Sequence, residues 1–340
     1  MMASQTEMAA PPLRAVTLAD IEVDGGMVGK GREVLETYGC VVLKNVLDPA
    51  TALDPILAEY DRRLDDVLAS MGAPTAGTFA ERLAALYNSG TGVHHQAFNI
   101  SLPTAAGIPA STPVHTGAAI FALLRSPAIL DAVEDVLGGE ILSNPIQHAR
   151  LKPPERMVVG GAGQGLVRAI DWHQDAAAMS ADADATDFLT VWVPVTDATE
   201  AMGCMVVQPG SHRERSQLQR HCPGMRLPGR DAAPSLVVPM ERGSILVFHK
   251  LLVHKSLPNV SDAARVSLDL RYSVAGQKTG RDVFPEFLAR SAADPAAVLD
   301  DPAEYARAWW RARDALAATD AKVYLGVRWN EPGVEVAASC

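Results

Sequence analysis

The chain has 340 residues, of which 48% are hydrophobic and 21% charged, a composition typical of a globular protein with a sizeable core. Its formal net charge of -10 argues against nucleic acids and anionic membranes as partners. The four cysteines show no CxxC spacing, which argues against a zinc ribbon or a secreted disulfide scaffold.

Targeting signals are missing from the sequence. Met1–Pro12 contains no basic segment followed by an apolar core, so we expect no signal peptide. No uncharged apolar run reaches the length of a membrane helix. We therefore expect a cytoplasmic protein with free thiols and no membrane partner.

The first part of the chain has helical periodicity. We predict a disordered N-terminus over residues 1–15 and a single catalytic domain over 16–340, which begins with a helical layer over about 16–140. Apolar residues at spacings of three and four, with helix start and stop signals, predict its helices. The predicted elements are helices over Val28–Tyr38, Asp48 to about Ser70, Phe79–Tyr87 and Ser126–Leu137, and a strand over Cys40–Leu43.

The pattern changes at Ile141 to short apolar or alternating runs punctuated by Gly and Pro. The predicted strands are Ile141–Leu151, Ile170–Asp175, Asp187–Val195, Cys204–Gln208, Ser235–Val238, Ile245–Phe248 and Arg265–Ser273. Many short strands of this kind predict a mainly β fold with a jelly-roll core over about 141–275. Beyond Asp282 the pattern is helical again, with a C-terminal helical segment over about 283–320.

The run Trp172-His173-Gln174-Asp175 carries the strongest chemical signal. On an extended chain residues i and i+2 share a face, so His173 and Asp175 would point at one place. One imidazole and one carboxylate are two of the three ligands of a 2-His-1-carboxylate iron site. A distant histidine must supply the third.

His254 is the preferred third ligand and His249 is its nearest rival. These two differ by an odd number, so on one strand they would face opposite ways. The choice of His254 rests on Arg265 and Ser267 in the next strand, whose guanidinium and hydroxyl suit a carboxylate. The remaining candidates lie in segments with the composition of polar loops: His94, His95, His212 and His221.

These residues together resemble the phytanoyl-CoA dioxygenase family of Fe(II)- and 2-oxoglutarate-dependent oxygenases. The matching segments are Trp172–Asp175, Gln208–His212, Arg242–Ser244 with Phe248-His249, His254–Asn259 and Arg265–Ser267. The resemblance implies a double-stranded β-helix, a cupin-like jelly roll with flanking helices. It also implies Fe(II) as the cofactor and 2-oxoglutarate and O2 as cosubstrates, with ascorbate helpful in vitro.

The resemblance also implies roles for particular residues. His173, Asp175 and His254 would hold iron. Arg265, helped by Ser256 or Ser267, would bind the distal carboxylate of 2-oxoglutarate. Gln147 would steady its 1-carboxylate end, and Trp192 would line its pocket.

The implied reaction is oxidation of an unactivated C–H bond, coupled to decarboxylation of 2-oxoglutarate to succinate and CO2. The presence of Asp175 argues against halogenation, since related halogenases replace this carboxylate. Hydroxylation is the expected outcome, although desaturation, epimerisation and cyclisation are not separated from it by the sequence. We expect a small-molecule substrate, as in the tailoring of specialised metabolites such as antibiotics.

The basic loop Arg213–Arg230 has two readings, a solvated lid or a binding surface for an acidic group. Two rival functions are also open. A metal-dependent hydrolase or isomerase on a cupin-like barrel could use the same three ligands, but it has no need of Arg265 and Ser267. A non-catalytic β-sandwich binding protein would have the three ligands by coincidence. The oligomeric state cannot be predicted.

Overall fold

The computed structural model describes residues 15–318 except 90–93, 104–107, 160–168, 216–217, 219–220 and 223–224. The α-helices are α1 (Leu18–Ile21), α2 (Lys30–Tyr38), α3 (Asp54–Ser70), α4 (Phe79–Asn88), α5 (Ala118–Leu124), α6 (Pro127–Leu137) and α7 (Pro302–Ala317). The strands are β1 (Glu22–Asp24), β2 (Cys40–Lys44), β3 (Glu140–Lys152), β4 (Phe188–Pro194), β5 (Met205–Val207), β6 (Leu236–Val238), β7 (Ile245–His249), β8 (His254–Ser256), β9 (Arg265–Val274) and β10 (Phe287–Ser291).

Two sheets form the core. The larger sheet has seven strands in the order β1-β2-β7-β4-β9-β3-β10, and the smaller has three in the order β6-β5-β8. Apart from the parallel β1–β2 pair, the paired strands run antiparallel. The expectation of a mainly β core with flanking helices is confirmed.

The helices begin and end close to the expected residues because their signals are local. Asp48 accepts a hydrogen bond from the Ala50 amide, as expected of an N-cap, and a π-helical turn (Pro49–Leu53) leads into α3. The buried face of α3 consists of Ile56, Tyr60, Leu64 and Leu68, at spacings of four.

The C-terminal segment 283–320 is not helical throughout, and the prediction there is wrong in part. Phe287–Ser291 forms β10, which pairs antiparallel with β3 at the edge of the large sheet. Its residues alternate between buried and half-buried, a strand pattern, but five residues are too few to separate strand from helix by periodicity. The expected helix follows as α7.

The segment Ile170–Asp175 is not a regular strand, which corrects a second prediction. His173 forms an isolated β-bridge with His254, and Asp175 begins a 3₁₀ turn that continues to Ala178. The backbone is therefore extended at His173 and Gln174 and turns at Asp175. That single bridge is enough to bring the two imidazoles side by side.

The cysteines differ from expectation at one described position. Cys40 and Cys204 are buried free thiols, but Cys222 is disulfide-bonded, so the prediction of free thiols is wrong for Cys222. Sequence spacing does not show which distant thiols meet in the fold. The expected disordered N-terminus (residues 1–14 of it) and Cys340 lie outside the described residues. Among the residues given above, no helix combines the length and apolarity needed to cross a membrane.

Candidate metal and cosubstrate site

The site is built where the segment before Asp175 meets β8. His173 and His254 exchange backbone hydrogen bonds, each amide donating to the other's carbonyl over 3.0 Å. Their rings consequently lie together, with centroids 4.2 Å apart. The non-regular segment is therefore held to the small sheet at the position of the two histidines.

Three side chains converge in this place. Ligand atoms of His173, Asp175 and His254 all lie within 4.8 Å of one another. Asp175 and His254 are buried, and the side chain of His173 is 12% exposed. The Oδ1 atom of Asp175 is 3.8 Å from the Nε2 atom of each histidine. Two imidazoles and one carboxylate in this arrangement suit a non-haem iron site.

Backbone carbonyls fix which nitrogen of each histidine is available. His173 Nδ1 lies 2.8 Å from the Asp171 carbonyl, and His254 Nδ1 lies 2.9 Å from the Leu252 carbonyl. Because a carbonyl can only accept, each Nδ1 carries the proton and donates it. Both Nε2 atoms are thus left with a lone pair toward Asp175, the tautomer that a metal requires.

Two residues that sequence reasoning missed hold the Asp175 carboxylate. Thr190 on β4 donates its hydroxyl to Oδ2 over 2.5 Å. Arg271 on β9 lies 2.7 Å from Oδ1 through Nη2 and donates to Oδ2 through Nε over 3.2 Å. Thr190 and Arg271 are directly paired across β4 and β9, so their side chains reach the carboxylate from one face.

The charge states suit a metal. Burial opposes ionisation of Asp175, but Arg271 and the two histidines outweigh it and hold the pKa of this carboxyl below its ordinary value. Burial, reinforced by His254, lowers the pKa of His173 to about 3. At neutral pH the site therefore offers a carboxylate and a neutral imidazole.

A narrow cavity continues from the triad toward Arg265. Arg265 is buried, and its Nη1 donates to the Gly203 carbonyl over 2.6 Å, while its Nε has no hydrogen-bond partner among the described residues. Trp192 lines the cavity, with its ring 5.6 Å from the guanidinium carbon. Burial lowers the pKa of Arg265 to about 10, which leaves it cationic at neutral pH.

The two serines predicted beside Arg265 lie in its neighbourhood. Ser256 on β8 lines the cavity. Ser267 follows Arg265 by two residues on β9, so it shares that face, and in the part of the chain that the structure describes its buried Oγ has no hydrogen-bond partner. An arginine with serine hydroxyl groups nearby is a suitable receptor for a carboxylate.

A second ion pair lines the same cavity and was not predicted. Arg150 on β3 donates through Nε to Asp269 on β9 over 3.0 Å. The alternation rule applied along β9 could have found Asp269 and Arg271, since both share the face of Arg265.

Gln147 is placed differently from the other predicted residues. It does not line this cavity, and its amide nitrogen donates to Ser143 Oγ and to the Asn144 carbonyl, each over 2.8 Å. The cause is an irregularity in β3, whose register against β9 shifts between Asn144 and His148. Its role at the 1-carboxylate end stays a prediction.

The rival histidines lie elsewhere. His249 ends β7, and its ring centroid is 5.5 Å from that of His212. His221 accepts a hydrogen bond from the Gln174 amide over 3.2 Å through Nε2. The side chains of His94 and His95 lie outside the described part of the chain.

Two arginines of the basic loop bind the protein itself. Arg213 donates to the carbonyls of Glu36 and Thr37, and Arg230 donates to Gln208. These contacts favour a structural role over a surface for an acidic ligand. Arg220 lies outside the described residues.

Comparison with known protein families gives one match that covers well over half of the chain. The family model described as Phytanoyl-CoA dioxygenase (PhyH) matches residues 35–267. This range includes the triad, Arg265 and Ser267.

Two similar curated proteins are bacterial hydroxylases. The 1-deoxypentalenic acid 11-beta-hydroxylase of Streptomyces exfoliatus is 28% identical over 172 residues, which cover 46% of this chain and 58% of the relative. The enzyme of the same name from Streptomyces arenae is 35% identical over 108 residues, which cover 28% and 38%. The alignments thus span about half the length of these relatives or less.

A solved structure supports the fold. A non-haem monooxygenase, ThoJ in its apo form, superposes with a TM-score of 0.55 at 23% identity, covering 85% of this chain and 97% of that one. With the family match, this confirms the predicted double-stranded β-helix fold.

Proposed function

Because the chain belongs to the phytanoyl-CoA dioxygenase family, we propose that it is an enzyme that hydroxylates an unactivated C–H bond of a small molecule. The family consists of non-haem Fe(II)- and 2-oxoglutarate-dependent oxygenases, which fixes the class of this chain and its cofactors. The reaction outcome and the substrate are the parts that we propose.

The observation that carries the proposal is the His173, Asp175 and His254 cluster. These residues would hold Fe(II) through both Nε2 atoms and the Asp175 carboxylate. Iron held by these residues would supply the activation of O2. The overall reaction would convert R–H, O2 and 2-oxoglutarate into R–OH, succinate and CO2.

The protein's own residues provide orientation and charge. Arg265 and Ser256 line the same cavity as the three proposed metal ligands, and we propose that Arg265 binds the second carboxylate of the cosubstrate there. Arg271 and Thr190 keep the Asp175 carboxylate ionised and fixed in direction. A fixed carboxylate and a fixed cosubstrate together position the substrate carbon.

We propose a specialised-metabolite intermediate as the substrate. The support is the similarity to two Streptomyces enzymes named for hydroxylation of 1-deoxypentalenic acid, a small carboxylic acid. Neither alignment covers enough of the relative to transfer that substrate to this chain.

The first test is turnover of 2-oxoglutarate without substrate. Protein supplied with Fe(II), ascorbate and O2 should form succinate slowly, and His173→Ala should abolish this and weaken Fe(II) binding. A parent protein that makes no succinate would favour a hydrolase using the same ligands. Fe(II) affinity unchanged in His173→Ala would show that the triad is misassigned.

The second test concerns the reaction outcome. Candidate biosynthetic intermediates would be screened under the same conditions, and products analysed by mass spectrometry. Hydroxylation adds one oxygen atom that originates from O2. A product that has lost two hydrogens would indicate desaturation or cyclisation instead of hydroxylation, and a stereoisomer of the substrate would indicate epimerisation.

A further inference from the structure

A buried lysine lies next to the proposed cosubstrate arginine. Lys152, the last residue of β3, has no exposed surface and is directly paired with Arg265 across β3 and β9. Side chains of directly paired residues lie on the same face, and two like charges placed so are destabilising. The protein therefore holds two buried cations side by side.

Lys152 has no acidic partner within ion-pair distance among the described residues. Its Nζ donates to Ser256 Oγ over 2.7 Å and lies 3.3 Å from the Leu257 carbonyl. Burial, followed by the charge of Arg265, lowers the pKa of Lys152 well below its ordinary value. A lysine in this position is costly unless an anion offsets it.

The contacts of Ser256 show where such an anion would bind. Its Oγ accepts hydrogen bonds from Lys152 and from the Ile170 amide, the latter over 3.1 Å. A hydroxyl has two lone pairs and one proton, so both acceptor positions are used. The remaining O–H can only donate, and Ser256 lines the cavity that contains Arg265.

We propose that Lys152 is a positioning residue for 2-oxoglutarate, which orients the Ser256 hydroxyl toward the distal carboxylate and adds a second positive charge beside Arg265. This inference rests on the proposed function. The lysine would not touch the cosubstrate, because its hydrogen bonds go to Ser256 and Leu257. Its effect would pass through the serine and through the local potential.

The charged groups around the cavity agree with an anionic ligand. The Asp, Lys and Arg side chains that line it are paired with opposite charges, apart from Arg265. Within the described chain, neither Arg265 nor the adjacent Lys152 has an acidic partner at ion-pair distance. A carboxylate bound beside them would offset these groups, and a neutral ligand would not.

The experiment measures binding rather than turnover. The full chain loaded with Fe(II) without oxygen would be titrated calorimetrically with 2-oxoglutarate and with 2-oxobutanoate, a keto acid that lacks the distal carboxylate. The variants are Lys152→Met, Lys152→Gln, Ser256→Ala and the double variant Lys152→Met with Ser256→Ala. The control is Tyr87→Phe, which removes a hydrogen bond to the neighbouring Leu151 carbonyl of β3.

We expect Lys152→Met to weaken 2-oxoglutarate binding by about 10- to 100-fold, the usual effect of a charge-assisted hydrogen bond. Fe(II) and 2-oxobutanoate binding should be unchanged, and Tyr87→Phe should resemble the parent in every titration. In the Ser256→Ala background the lysine substitution should cost less, because the route through the serine is lost and only the effect of the charge remains. Lys152→Gln retains a hydrogen-bond donor without the charge, and it supplies the same comparison if Lys152→Met does not fold.

Two results would overturn the assignment. One is 2-oxoglutarate affinity equal to that of the parent in Lys152→Met or Lys152→Gln. The other is a loss that is the same for both keto acids, or that adds fully to that of Ser256→Ala. A parent that binds neither keto acid would instead reject the proposed function, and the role of Lys152 with it.

Discussion

The hydroxyl of Thr190 provides the sharpest test of how the metal carboxylate is held. Thr190 is fully buried and donates to Asp175 Oδ2 over 2.5 Å. Thr190→Val keeps the side-chain shape and removes only this donor, whose bond to a charged acceptor contributes about 1.5–3 kcal/mol. We expect the free energy of unfolding of the metal-free protein to fall by that amount. Metal affinity should fall about 10- to 100-fold, the usual effect of losing an outer-shell partner.

Thr186 supplies a matched control. It is also buried, and its hydroxyl donates to the carbonyl of Lys278 over 2.7 Å, a neutral acceptor that belongs to no metal ligand. Thr186→Val should cost about 0.5–1.5 kcal/mol and leave metal affinity unchanged. Urea denaturation and Fe(II) or Mn(II) titration would measure both variants. Equal stability losses with parental metal affinity in both would refute the role assigned to Thr190.

Three further predictions concern the same site. Arg271→Met removes the ion-pair partner of buried Asp175, so unfolding of the metal-free protein should cost about 3–5 kcal/mol less, and unchanged urea stability would contradict this. The pKa of Asp175 is below its ordinary value, so the stability that the ionised carboxylate contributes is present above about pH 4 and is lost at lower pH. In denaturation measured as a function of pH, Asp175→Asn should lose less stability than the parent on the acid side. The same pH profile in the variant and the parent would contradict this. Gly203 has a φ of +80°, and an added Cβ would lie 2.5 Å from the Leu257 carbonyl oxygen, so Gly203→Ala should lower the free energy of unfolding by about 1–3 kcal/mol. It should also weaken 2-oxoglutarate binding in calorimetry, because it displaces the carbonyl that accepts a hydrogen bond from Arg265.

The convergence of His173, Asp175 and His254 was predictable because the His-x-Asp spacing, the distal histidine and Arg265 follow one another in a specific order, although the His-x-Asp pair alone is a weak signal. The i, i+2 spacing brings the first two to one side, and the odd spacing between His249 and His254 separates the rivals. In the structure these two histidines lie on different strands, β7 and β8. The structure brings His254 to His173 and Asp175, although the continuous strand used to weigh it against His249 does not exist, and its role as a metal ligand stays a prediction.

The partners of Asp175 were not predictable from local patterns. Thr190 and Arg271 lie 15 and 96 residues away in the chain, and only the pairing of β4 with β9 places them on the carboxylate. The burial of Lys152 was not predictable either, because a lysine at the end of an apolar strand is expected to reach solvent. Its environment depends on the pairing of β3 with β9.

Strand β9 links the two ends of the site through its alternation. Arg265, Ser267, Asp269 and Arg271 share one face, so one strand carries the proposed cosubstrate arginine near one end and the ion-pair partner of Asp175 near the other. A register shift of one residue would turn all four side chains to the other face. Pairing on both edges, with β3 and β4, prevents such a shift. The distance between Arg265 and the partner of Asp175 is therefore set by the sheet, which suits the proposed reaction because it depends on the placement of a bound keto acid.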